Sequence, residues 1–417
     1  MNRIPTARIL CIMLGALLAC RPAATSDDTD PASELSPTKV TAPASETTAD
    51  PAADAAAADA TAAEAAASDS DWPMFRGDSK ATGVARTELP EQLELLWRFT
   101  VPKGAFEGTP AIVDGVVYLG DLDGNFYALD LATGEKRWLQ TFEAGFTASP
   151  SVRDGLLYIG DFYGQFYCLS TEDGTLVWQY DTEAEIDGSA NFFQDRVIFG
   201  SQDATLYSLH AKTGELVWKH TVDDQIRCSP TIVEGRCFVA GCDGLLHIIN
   251  VEDGQPIATV PIGSPTGVTP AAWGDKVFFG AENGTFLCVD WRKEELAWTF
   301  KDDRTQSFRS CPAVTDQRVV FGGRDRTVRA LHPETGELVW RFSARQRVDS
   351  SPVIVGQRVF VAVGDGRIHA LDLDSGEELW QYETGNGFTG SPAVADGKLV
   401  IADDRGIVYC FGSPASD

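Results

Sequence analysis

The chain is short of positive charge and of the residue patterns that carry chemistry. Against 61 Asp and Glu it sets 34 Lys and Arg, a net charge of -27, so neither a nucleic-acid backbone nor an anionic headgroup layer would find a basic surface to bind. There is no Cys-x-x-Cys-His for haem, no His-Glu-x-x-His for zinc and no Gly-x-Ser-x-Gly nucleophile turn. The 5 His are scattered: His210 and His332 replace a turn Asp, and His247 and His369 occupy positions that other repeats give to Tyr. That spacing argues against a shared metal site. Gly385-Asn386-Gly387-Phe388-Thr389-Gly390 has the spacing of a dinucleotide loop but precedes a strand and opens no helix. Asp121-Leu122-Asp123-Gly124 begins like a calcium loop and lacks the later ligands. The sequence thus assigns no catalytic residue and no metal ligand.

What is present is a repeat. Trp97, Trp138, Trp178, Trp218, Trp298, Trp340 and Trp380 recur about every forty residues, with Ala258 in the one missing place. A second series runs in phase: Thr109-Pro110, Ser149-Pro150, Ser189-Ala190, Ser229-Pro230, Thr269-Pro270, Cys311-Pro312, Ser351-Pro352 and Ser391-Pro392. Within one period, Ala111-Ile112-Val113, Val116 to Gly120 and Phe126 to Asp130 alternate as short strands, separated by Asp114-Gly115 and Asp123-Gly124 turns. Thr133-Gly134 leads into a fourth strand, which the pattern ends at Trp138. Four short strands per period of this length predict an eight-bladed, all-β propeller. After Ser391-Pro392 only three strands remain, while Leu93 to Phe99 has the fourth-strand pattern with no strands before it. This N-terminal strand is expected to complete the last blade and close the ring.

Ala128-Leu129-Asp130-Leu131-Ala132-Thr133-Gly134-Glu135-Lys136-Arg137-Trp138 resembles the tryptophan-docking motif of pyrroloquinoline-quinone-like propeller repeats, and Ala330 to Trp340 and Ala370 to Trp380 repeat it. Cys168 to Trp178 and Ser208 to Trp218 follow it loosely. The fourth repeat keeps Gly254 but has Ala258 for Trp, and the fifth keeps Trp298 but loses Thr-Gly. The likeness covers about Asp71 to Phe411 and implies that each Trp packs between neighbouring blades. The family includes quinone-dependent dehydrogenases and BamB-type outer-membrane assembly lipoproteins, so it implies a fold more sharply than a function. Dehydrogenases of this family hold the quinone over a Trp under an adjacent Cys pair, beside calcium. Here there is no adjacent Cys pair, and the even repeat spacing leaves no room for the long loops that build such sites.

Arg3 and Arg8 precede the apolar stretch Ile9 to Ala19, too short to span a bilayer and ordered like a secretory signal. Leu17-Leu18-Ala19-Cys20 resembles a bacterial lipobox, which implies cleavage before Cys20, lipidation of its thiol and, with Arg21 following, an outer-membrane anchor facing the periplasm. From Arg21 to Ser70 the chain is Ala, Asp, Thr, Ser and Pro with almost no large apolar side chains, a disordered tether with a reach of roughly 40 Å. The divisions expected are a signal peptide over 1–19, the tether over 20–70, a lead-in over 71–92, the propeller over 93–411 and a tail over 412–417. Of the 9 Cys, Cys168, Cys288 and Cys410 stand where other repeats place Ala and read as small buried side chains, while Cys228, Cys237 and Cys242 share one repeat and leave a disulfide open.

Three residues before each Pro, or before Ala190, stand Glu107, Thr147, Asp187, Arg227, Gly267, Arg309, Asp349 and Thr389; one residue earlier the series is mainly apolar. Alternation sends the two series to opposite faces, so the polar series is expected to ring the channel mouth. Asp187 would pair with Arg227 and Arg309 with Asp349 across blade junctions, with the two arginines flanking Gly267. Glu107, Asp187, Arg227, Arg309 and Asp349 are the candidate binding residues. The expected function is a non-catalytic binding or assembly scaffold with a protein partner in the cell envelope, touching membrane only through its lipid and using no cofactor. A quinone-dependent dehydrogenase and a small-ligand sensor are the alternatives.

Overall fold

Asp114 and Gly115 both take left-handed backbone, with φ of 51° and 69°, as a two-residue primed turn requires. The strands they join, Ala111–Val113 and Val116–Gly120, form the inner half of a four-stranded antiparallel blade that continues with Asn125–Asp130 and Lys136–Thr141. The outermost strand therefore runs on past Trp138, three residues beyond the end that the sequence pattern marks. In the computed structural model, which describes residues 70–303 and 306–413, this unit occurs eight times, and the described residues contain no helix. Cys11, Cys20, the signal segment and nearly all of the tether lie outside the described residues.

The eighth blade is built from both ends of the propeller. Ala393–Ala395, Lys398–Ala402 and Ile407–Gly412 supply its inner strands, and Glu94–Thr100 adds the outer one, with Trp97 opposite Cys410. Antiparallel pairing across this seam leaves no unfinished blade.

Each docking Trp belongs to one blade and packs on the next. Trp97 Nε1 donates to Leu131 O at 3.0 Å, Trp138 to Thr171 O at 3.0 Å and Trp218 to Val251 O at 3.1 Å. The ring lies against the glycine of the following Thr-Gly turn. A Cβ on Gly134 would come within 2.6 Å of Trp97, and one on Gly214 within 2.7 Å of Trp178. Glycine is needed there for its positive φ and for its missing side chain. Within its own blade, each Trp faces a small residue: Ala128 opposite Trp138, Cys168 opposite Trp178, Cys288 opposite Trp298.

The two departures noted in the sequence meet at one junction. Ala258 of the fourth blade lies opposite Ile248, so the large and small partners are exchanged. On the adjoining turn of the fifth blade Glu294 takes the glycine's left-handed position, φ 59°, since no indole has to approach it. The space is filled from the other side by Trp291, which is 1% exposed and packs edge-on to Phe238. The guanidinium groups of Arg236 and Arg292 lie 5.0 and 4.3 Å from its ring centre.

Two further elements organise the channel. The Ser/Thr/Cys of each Ser-Pro-like pair accepts a hydrogen bond from the backbone N–H of the preceding blade's counterpart. Thr109 donates to Ser149 Oγ, and the chain passes through Ser189, Ser229, Thr269, Cys311, Ser351 and Ser391 back to Thr109 Oγ1. The lead-in then threads past the inner strands. In six blades the N–H of a mid-strand residue donates into it, from Ile112 to Trp72, Val152 to Pro73, Ile232 to Ser79, Ala272 to Lys80, Val314 to Thr82 and Ile354 to Gly83. Asn191 Nδ2 bonds Ser79 O from the third blade, and Asp396 N bonds Ser70 O from the eighth. Inner-strand edges that would expose unpaired backbone are satisfied by this one segment.

Cys168, Cys228, Cys237, Cys288, Cys311 and Cys410 are buried free thiols, so Cys228 and Cys237 are joined neither to each other nor to Cys242.

Trp97→Ala is expected to cost about 3–5 kcal/mol in denaturant unfolding, from lost burial at the seam. Ala258→Trp restores the repeat but drives an indole toward Glu294 and Trp291. It is expected to lower the melting temperature, and a rise would contradict the exchange described at that junction.

Candidate binding site at the channel mouth

Phe106, Phe146, Ile186 and Ile226 are each fully buried, at 0% exposure, which turns the residue after each toward the opposite face. Glu107, Thr147, Asp187, Arg227, Gly267, Arg309, Asp349 and Thr389 thus lie together above the hydroxyl ring, at the end of the channel away from the lead-in. Gly267 leaves room that Arg227 enters, its Cβ 3.2 Å from where a glycine Cβ would stand.

Asp187 joins three neighbours: Arg227 Nε donates to it at 3.2 Å, Thr147 Oγ1 at 3.2 Å and Gln202 Nε2 at 2.7 Å. The pairing expected between Arg309 and Asp349 is not formed. Arg309 Nε instead lies 3.3 Å from Glu282, without the alignment of a hydrogen bond, and Asp349 receives a two-pronged bond from Arg324 at 2.9 and 3.0 Å plus Arg347 at 3.0 Å. The reason is geometric. Arg324 sits on the turn between the second and third strands of its blade, so its planar fork meets the Asp349 carboxylate from the side.

That turn series was missed by reading the inner strands alone. Leu122, Phe162, Gln202, Cys242, Glu282, Arg324, Gly364 and Asp404 follow the mouth residues at a constant offset. Polar side chains appearing in some repeats where Leu122 and Phe162 stand in others were the signal that could have found it. Asp404 belongs to this second ring and accepts the N–H of Thr389 at 2.9 Å.

The mouth is uneven in sign, arginines outnumbering Glu282 and Asp349 on one arc and carboxylates prevailing on the other. Arg227, Arg309, Arg324 and Arg347 gather on one arc, and burial, offset by Glu282 but reinforced by the field of Arg324, lowers the pKa of Arg309. On the other arc Glu107 keeps an exposed side chain, and its partial desolvation at the mouth raises its pKa, with Asp404 and Asp187 adding repulsion. Asp404 is raised for the same first reason, burial, against its bonds to Thr389.

The turn acids beneath are structural. Asp121 accepts the N–H groups of Asp123 and Asn125 and the hydroxyl of Tyr127 at 2.8 Å; Asp161 and Asp403 repeat this with Tyr167 and Tyr409. His247 stands in the Tyr position and bonds Asp243 at 2.7 Å, and Arg329 does the same with Asp325. The calcium-loop pattern at Asp121 is thus a self-capped hairpin turn.

The sequence matches the family described as outer membrane protein assembly factor BamB, over residues 90–227, 127–326 and 295–411. No curated protein sequence matches it. Among solved structures it is similar to the quinohemoprotein alcohol dehydrogenase of Comamonas testosteroni, at TM-score 0.73 and 15% identity over 88% of this chain and 85% of that one. A second quinohemoprotein alcohol dehydrogenase, from Pseudomonas putida HK5, gives 0.73 and 13% over 86% and 84%. The computationally designed Ika8 protein gives 0.67 and 19% over 77% and 100%. At these identities the likeness is one of fold. The Trp floor that the resemblance implies for a quinone is not among the mouth residues: of the 10 Trp, seven dock blades, Trp72 lies in the lead-in, Trp291 fills the fourth junction and Trp273 ends an inner strand at the far face.

Because a carboxyl with a raised folded-state pKa favours folding only while protonated, Glu107 withdraws stability as pH rises above its ordinary 4.5. Glu107→Gln is expected to raise the melting temperature at neutral pH, with the gain vanishing well below 4.5. A gain that persists in acid would show that its cause is not this charge.

Proposed function

Because the chain belongs to the family of the outer membrane protein assembly factor BamB, we propose that it is a non-catalytic scaffold for protein assembly at the bacterial outer membrane. The family match across nearly the whole propeller is the observation that carries this reading. In it, Cys20 bears the lipid anchor, the Ala- and Asp-rich tether sets the propeller off the membrane surface, and a protein partner docks at the mouth without any cofactor. The lead-in occupying the channel supports a docking surface over a passage. The mouth's separated charges suit a partner segment carrying both signs, since an acidic arc and a basic arc together fix orientation as well as attraction.

Arg227 and Arg309 flank the gap at Gly267 and are the groups expected to grip a partner carboxylate. In cells, the double variant Arg227→Gln and Arg309→Gln should fold with little change in melting temperature and lose the partner captured by crosslinking and mass spectrometry. A destabilised variant with an unchanged set of crosslinked proteins would sink the docking role of the mouth.

A further inference from the structure

The turn that carries Arg324 departs from its counterparts two residues further on. The position of Arg326 is Gly124, Gly164, Gly244, Gly284, Gly366 or Gly406 in six other blades, with φ between 74° and 88°, and Ala204 in the third. Arg326 takes the same left-handed backbone, φ 65°, which a residue with a side chain adopts only against a steric penalty. Glycine would close this hairpin more easily, so the guanidinium is held there at a local cost. Strain of this kind directs attention to function.

On the loop facing this turn the same blade inverts a sign. Arg345 stands where the first three blades have Glu143, Glu183 and Asp223. Ala344 N donates to Arg326 O at 2.8 Å and Val348 N to Gly323 O at 3.2 Å, so turn and loop run side by side and bring Arg345 beside Arg326, just outside Arg347 and Arg324.

The carboxylates of this sector are engaged. Asp349 is held by Arg324 and Arg347, and Glu282 lies against Arg309. Asp325 pairs with Arg329, Asp302 with Arg329 and Arg341, and Asp365 and Glu383 with Arg367. Among the described residues Arg326 and Arg345 are exposed and in no ion pair, Lys301 is spent on the carbonyl of Asn283, and Asp303 is the one acid here outside the pairs. Pair by pair the sector keeps an excess of cations, in a chain of net charge -27.

We infer that the sixth blade binds an acidic peptide segment, with neighbouring carboxylates of that segment on Arg326 and Arg345. Arg324 continues the line of guanidiniums inward to Arg309, which feels its field, so a chain seated at the channel mouth runs outward over this patch. Separate guanidiniums in a row suit carboxylates spaced along a chain better than one compact dianion. Naming the segment as part of the assembly partner rests on the scaffold reading; the patch itself does not.

The probe is a fluorescein-labelled hexaglutamate peptide, followed by anisotropy as the full chain is added at low ionic strength, with labelled hexaglutamine as the control. Hexaglutamate should bind and hexaglutamine should not. Arg326→Gly installs the residue of six other blades and Arg345→Gln alters an exposed side chain, so the melting temperature of the double variant should hold or rise while hexaglutamate affinity falls about tenfold. Absence of hexaglutamate binding, equal binding of hexaglutamine, unchanged affinity in the double variant, or displacement by inorganic phosphate more strongly than by glutarate at equal ionic strength would each overturn the assignment. The readout involves no partner, so it can fail while crosslinking through Arg227 and Arg309 still supports the scaffold, and it can succeed where that crosslinking fails.

Discussion

The closed circuit of hydrogen bonds through Thr109, Ser149, Ser189, Ser229, Thr269, Cys311, Ser351 and Ser391 is the constraint on which the other features depend. Every blade presents an inner edge toward the axis, and an N–H buried there without an acceptor is costly. A hydroxyl from the next blade solves this only if each blade supplies one, and only if the last blade reaches the first. The link from Ser391 N to Thr109 Oγ1, 3.2 Å, meets the second condition. The strand Glu94–Thr100 brings the two blades together at the rim. Cys311 is the weak member, its sulfur accepting from Thr269 N at 3.3 Å.

On either side of this circuit the channel takes different characters. Two residues up each inner strand, side chains are free to differ from blade to blade, and the charges of the mouth sit there. Three residues down, backbone edges demand partners, and the lead-in supplies them. Arg76 reaches from the lead-in back toward the circuit and donates to Pro312 O and Pro352 O, the latter at 2.6 Å. Burial lowers its pKa to about 10, which leaves it a cation at neutral pH. It therefore ties the lead-in to the sixth and seventh blades through the carbonyls that follow the circuit's own residues.

The fold was legible because its markers are periodic. The Trp and Ser-Pro series count blades, and the incomplete last repeat beside a stray fourth-strand pattern at Leu93 to Phe99 announces the seam, where the strand itself runs Glu94–Thr100. The circuit itself was in view as a spacing marker, yet nothing in a single repeat says that Ser149 Oγ meets Thr109 N. That contact exists only between blades. The same limit explains Arg309, whose sequence neighbours in the mouth series suggest Asp349. Arg324 outcompetes it from a turn whose projection into the mouth depends on blade tilt. The lead-in carried no periodicity at all, so its role as the partner of six inner strands was beyond pattern reading. The missing Trp at Ala258 and the missing Gly at Glu294 looked like two lapses, and across the junction they are one packing change.

Native-state hydrogen exchange at the eight donor amides of the circuit tests this account most directly. If the circuit is a single closed unit, the N–H groups of Thr109 and Ser391 at the seam should open with the same free energy as those of Ser189 and Ser229 away from it, and only through global unfolding. Seam amides that exchange by a separate, cheaper opening while the others stay protected would contradict it.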